Sequence, residues 1–152
     1  MTRRAIRTVL LFTLIGVCGI AYFRNSRSPK QILKRHFNVA IPAAAKDPHA
    51  FAEQMPDTII YSVWFRAEMP VEEAKRLAAA LELRPDPPAF AYNPGTTDGV
   101  RSWWMPGLDS IQRDTSSLFW SKATGNFDGG YTYATWHKER LYLFRHGIPV
   151  RR

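Results

Sequence analysis

The apolar positions of this chain fall into one unbroken run and a series of shorter, patterned stretches. Residues 8–23 (TVLLFTLIGVCGIAYF) carry no charge and are fenced by Arg3, Arg4 and Arg7 on one side and Arg24 and Arg27 on the other. As a helix such a run reaches about 24 Å against a hydrocarbon core of about 30 Å, a gap that snorkelling arginines and local thinning can close. It predicts a single membrane anchor. Beyond it, Ser28-Pro29 followed by KQILKRHF predicts a helix with Ser as N-cap, Pro in the first turn, Ile32, Leu33 and Phe37 on neighbouring faces, and an end near Asn38. Residues 39–46 contain Pro42 and no clear period, which reads as a loop or a short extended piece, and a strand begins within 47–53.

The strongest strand signal is 58–67 (TIIYSVWFRA), rich in β-branched and aromatic residues. Alternation puts Ile59, Tyr61, Val63 and Phe65 on an apolar face, and Ile60, Ser62, Trp64 and Arg66 on a half-wet one. Residues 71–83 form the clearest helical pattern, with Val71, Ala74, Leu77, Ala78 and Leu81 as the buried stripe and Glu72 set to pair with Arg76 at i,i+4. The early acids Glu72 and Glu73 suit the positive end of the helix dipole, and Arg84-Pro85-Asp86 stops the helix. Residues 89–113, punctuated by Pro94, Gly95, Gly99, Pro106 and Gly107, read as long loops around a short apolar element at Trp103-Trp104. A strand over 118–121 and a hairpin of 131–137 with 141–145, joined across Lys138-Glu139-Arg140, complete the pattern. The expected fold is α+β: an N-terminal transmembrane helix, residues 1–27 with their basic flanks, then a single domain over 28–152 made of a small antiparallel sheet with one main helix packed on a face.

Charge changes the picture only once it is located. The net charge of +8 suggests nucleic acid, but residues 1–35 hold eight Lys or Arg and no acid, which leaves 13 basic against 13 acidic residues in the body. A groove that tracks phosphates needs clustered basic residues within the fold, so nucleic-acid binding is not expected. The basic excess flanks the apolar run instead, where each Lys or Arg near anionic lipid contributes about 1 kcal/mol. A retained anchor is preferred to a cleaved signal, because the small-x-small site Gly19-Ile20-Ala21 lies inside the apolar run with no polar stretch before it. Val17 stands where a lipoprotein box needs a small residue before Cys18, and the Arg3-Arg4 pair lacks the polar lead-in of a twin-arginine signal. Both flanks are basic, so orientation rests on the short basic tail that opens signal anchors, and the domain is expected outside the cytoplasm at the inner (plasma) membrane. Cys18 is the sole thiol, so no internal disulfide is available.

Few motifs carry chemistry. His36, His49, His137 and His146 show no metal-pair spacing, there is no HExxH or CxxC, and no metal site or cofactor is expected. The glycine-rich 125–130 segment runs into a strand, not a helix, so it lacks the N-terminal amides that hold phosphate and reads as a hairpin turn. No GxSxG elbow is present, and Asp109, Asp114 and Asp128 are indistinguishable from solvated loop acids. What remains is aromatic: Trp64, Trp103, Trp104, Trp120 and Trp136 with Tyr131, Tyr133, Tyr142 and Phe144, which serve first as core and cross-strand pairs. Trp103 and Trp104 are the candidate partner-binding residues, since neighbours in an extended segment point opposite ways and one is then free to face a partner.

The segment ILKRHFNVAIP at 32–42, followed by a strand and then by MPVEEAKRLAAALEL, resembles small bacterial membrane-anchored and lipoprotein domains of uncharacterised function. The resemblance covers about the first half of the body; it implies a compact extracytoplasmic α+β domain and brings no catalytic residues. The expected function is a non-enzymatic, protein-binding domain at the cell envelope, with the membrane engaged through residues 8–23 and another envelope protein as partner. The alternative is a minor envelope hydrolase that uses His137 or His49 with a loop carboxylate.

Overall fold

A computed structural model of the chain describes residues 13, 27–54, 60–86, 102–104, 111, 113–123 and 130–147. Within them the chain forms helix α1 (Pro29–Phe37), strands β1 (Lys46–Gln54) and β2 (Tyr61–Glu68), helix α2 (Val71–Ala80), and strands β3 (Arg84–Asp86), β4 (Leu118–Ala123), β5 (Tyr131–His137) and β6 (Arg140–Gly147). The six strands make one sheet in the order β1-β2-β6-β5-β4-β3, with every neighbouring pair antiparallel.

This corrects the expected architecture. Both helices read from the sequence pack on the sheet, in place of one main helix, the sheet has six strands, and among the described residues no helix is long and apolar enough to cross a membrane. The proposed anchor over 8–23 lies, apart from Thr13, outside the described residues. The second helix follows from α1 being amphipathic despite its many cations: Ile32, Leu33 and Phe37 are buried in the same apolar cluster as Ala74, Leu77 and Ala78 of α2. Ser28 accepts a hydrogen bond from the Gln31 amide at 3.4 Å, and Asn38 takes the left-handed conformation at the C-cap (φ 56°), so both helix ends are closed as the residue types dictate. The third strand escaped the pattern because Pro85 reads as a stop. At a sheet edge a residue without N–H is tolerated, and the three-residue β3 pairs with Ser121, Trp120 and Phe119 of β4.

Alternation along the strands defines two covered faces. Val63, Phe65 and Ala67 of β2, Leu141 and Leu143 of β6, Ala134 of β5 and Trp120 of β4 point toward both helices and form the main core. Leu33, Phe65 and Leu143 have no exposed surface, and burial of each such side chain contributes about 1.5–3 kcal/mol. The opposite face, expected to be half wet, carries Trp64, Tyr142 and Phe144 packed with Trp104 as a second buried cluster. Paired acids and bases on α2 follow i,i+3 spacing, not the expected i,i+4: Glu72 meets Lys75 at 2.8 Å and Glu73 meets Arg76 at 2.6 Å. The free edge β1 is broken by a register shift between Lys46 and His49 and carries Pro48, devices that discourage edge-to-edge association.

Two stability predictions follow from local geometry. The β5–β6 connection is a two-residue turn with Lys138 and Glu139 both at positive φ (47° and 61°), a conformation that suits Asn-Gly. The double change Lys138→Asn, Glu139→Gly is expected to raise the unfolding free energy by about 1 kcal/mol, read from urea midpoints. Burial holds His36 down to about 4, with Arg35 and Arg145 adding to the effect. The unfolded chain takes up that proton near 6.5, so stability declines as pH drops from about 6.5 to about 4, by roughly 3 kcal/mol at most, and levels below. Denaturation curves across this range should flatten in His36→Gln relative to the unsubstituted chain.

Candidate functional site

On the face away from the helices, cross-strand register lines up side chains that are distant in sequence. Phe51, Trp64, Phe144 and Tyr133 form one row across β1, β2, β6 and β5. The next row is His49, Arg66, Tyr142, Thr135 and Phe119, and the row beyond it joins Glu68, Arg140 and His137. Ring contacts weld the first row together, with Trp64 and Phe144 centroids 5.4 Å apart and Phe51 and Trp64 6.1 Å apart. Over the second row sits the 102–104 turn. Trp104 meets Tyr142 edge-on at 5.7 Å, Trp103 meets Trp104 edge-on at 5.8 Å, and Trp103 stacks on His49 at 5.4 Å.

Between this turn and the β5–β6 hairpin lies a recess of about 330 Å³, walled by Arg66, Trp103, Trp104, His137, Arg140 and Tyr142, with Ser102 and Lys138 at its margin. No acid lines it among the described residues. Arg66 is largely buried and is held in place by two bonds: Nη2 donates to Asp47 at 2.5 Å and Nη1 donates to the Trp103 carbonyl at 3.1 Å. That second bond fixes the turn over the sheet. Its Nε–H, and the indole Nε1–H of Trp104, are buried with no acceptor among the described residues. Arg140 donates to Glu68 at 3.0 and 3.2 Å, and this hydrogen-bonded carboxylate holds its guanidinium even more firmly protonated. Burial pushes the Tyr142 phenol up, so it stays neutral.

His137 is buried beside two loop groups. Its Nδ1 lies 2.8 Å from Ser117 Oγ and 3.4 Å from Asp114 Oδ2. Asp114 is held low by its bonds from the Ser116 hydroxyl and amide. Burial lowers His137 and Lys138 adds to this, while Asp114 pulls the other way. Both neighbours approach the same ring nitrogen. A nucleophile–base–carboxylate relay needs the hydroxyl on one nitrogen and the carboxylate on the other, so Ser117 is not set up as a nucleophile.

The aromatic pair expected from the sequence therefore stands in the recess wall, but not symmetrically: Trp104 is only 7% exposed, whereas Trp103 is half-buried. His49 lies on β1 against Asp47 at 3.0 Å and apart from the His137 group. Asp109 and Asp128 fall outside the described residues. Sequence reasoning passed over Arg66 and Arg140, and counted Tyr142 only among the aromatic residues of the core and cross-strand pairs. The one available signal was an arginine on the alternating face of the strongest strand. Among the described residues no group of three or more His, Cys, Asp or Glu is placed to hold a metal ion. No family model matches the chain, and neither the curated proteins nor the solved structures contain a match to it.

Asp114→Asn should lower the His137 titration further, because it removes the one charge that opposes burial. The His137 ring signal followed by NMR against pH reads this directly, and an upward move would mean that the carboxylate does not act on the ring.

Proposed function

We propose that the domain is a non-enzymatic binding module of the cell envelope, held at the membrane through residues 8–23, that receives a protein partner in the recess between the Trp103-Trp104 turn and the β5–β6 hairpin. One observation carries this reading: aromatic and cationic side chains converge on a hollow that contains no acid among its described walls. Trp, Tyr and Arg are the residues that anchor protein interfaces, since they combine large contact area with directional donors. Lys138 adds a cation at the margin. The charge balance of the body argues against a nucleic-acid groove, and the aromatic walls favour a peptide.

A second reading, a minor envelope hydrolase, is favoured by the Asp114 carboxylate lying 3.4 Å from His137 at the recess wall. There Asp114 would orient the ring and the other nitrogen would activate water. The two readings separate experimentally. A photo-crosslinking residue at the exposed Ser102 should capture a defined envelope protein in living cells, while the same residue at Lys75, on the helix side, should not. Equal capture at both positions contradicts the binding reading. Hydrolysis of p-nitrophenyl acetate by the purified full-length chain that disappears in His137→Gln would favour the hydrolase instead.

A further inference from the structure

Two donors in the recess wall have no acceptor among the described residues. They are Arg66 Nε and Trp104 Nε1, both shielded from solvent, while the other buried side-chain donors and acceptors of the described residues are paired. Orphaned buried donors are rare in native proteins, because each forfeits its bond to water without replacement. Both belong to residues that wall the same hollow, and Trp104 is more than nine-tenths buried. Both terminal nitrogens of Arg66 are already engaged, with Asp47 and the Trp103 carbonyl, which leaves its Nε–H and only part of its charge for a ligand. A singly charged, planar acceptor suits that remainder better than a dianionic phosphate, which calls for a free guanidinium face.

We propose that the recess is a carboxylate-binding site, in which a peptide carboxylate accepts from Trp104 Nε1–H and Arg66 Nε–H while the residue bearing it lies against Trp103 and Tyr142. The 102–104 turn swings outward to admit the group, exchanging the Arg66 to Trp103 carbonyl bond and the Trp103 stacking on His49 for contacts with the ligand. This rests on the protein-binding reading of the same recess and names what is recognised there. Either a chain terminus or an Asp or Glu side chain can supply the carboxylate.

The test is an NMR titration of the full-length chain with 15N-labelled indoles, in which the Trp104 Nε1–H resonance is assigned from its loss in Trp104→Phe. N-acetyl-Ala-Leu with a free C-terminal carboxylate and N-acetyl-Glu-amide, whose only carboxylate is on the side chain, are compared with the corresponding amides and with inorganic phosphate. A downfield shift of the Trp104 resonance with one or both acids supports the proposal and tells terminus from side chain. Affinity for the acid should exceed that for its amide by about tenfold or more, and Trp104→Phe, which keeps the ring and removes only the donor, should lose about tenfold. Amides that shift the resonance equally overturn the proposal. So does phosphate shifting it as far as the acids, which would make the hollow a general anion site. If Ser102 crosslinking captures a partner equally well in Trp104→Phe, the protein-binding reading stands and the carboxylate assignment fails.

Discussion

The rest of the structure depends on the antiparallel pairing of β2 with β6, two strands buried on both faces. Val63, Trp64 and Phe65 are at most 4% exposed, and so are Leu141 through Phe144 on the strand beside them. A central strand with no wet face must be covered twice, and the chain does so asymmetrically. Helices α1 and α2 cover one face, chiefly with aliphatic side chains and Phe37, and aromatic rings cover the other. Because successive side chains alternate, register alone decides which residue meets which cover, and a slip by one position would exchange the two layers. The pairing of Phe65 with Leu143 and of Trp64 with Phe144 is thus the condition for both the core and the recess.

The same alternation places Arg66 where an arginine is expensive. Moving a guanidinium out of water costs several kcal/mol unless its bonds are replaced, and Arg66 sits on the covered face between His49 and Tyr142. The protein offsets this with Asp47, which stands at the irregular start of β1, and with a backbone carbonyl from the 102–104 turn. A turn far away in sequence is thereby tied to the sheet centre by a charged donor. Aromatic packing of Trp104 on Tyr142 then gives that turn a hydrophobic footing as well. Neither contact alone would hold a short loop segment against the sheet.

Much of the fold was readable from local pattern, and the site was not, for one physical reason. The helix beginning at Ser28-Pro29, the helix beginning at Val71, the strand through Trp64 and the closing hairpin are specified by contacts within a few residues, so periodicity and caps expose them. Strand order is specified by pairings across most of the chain: β2 lies beside β6 and not beside β3, and nothing local to Tyr61–Glu68 says so. The recess is a product of that order. Arg66 and Tyr142 are neighbours only because β2 and β6 pair, and His137 acquires Asp114 and Ser117 only because a loop folds back. The tryptophan pair could be singled out by type, but its division into a buried Trp104 and a half-buried Trp103 depends on the sheet beneath.

The division of labour between those two rings bears on why the orphaned donors persist. Burying the Trp104 indole N–H without an acceptor costs about 1–3 kcal/mol, set against the packing its ring makes with Tyr142. A like cost falls on Arg66, whose Nε–H is left over once both terminal nitrogens are engaged. Two such costs are carried by residues that wall the same recess. In the proposed complex a carboxylate supplies both acceptors and replaces the Trp103 carbonyl on Arg66, so its binding is coupled to the position of the 102–104 turn. That coupling would make the aromatic face of the sheet a responsive surface and the helix-covered face a fixed support.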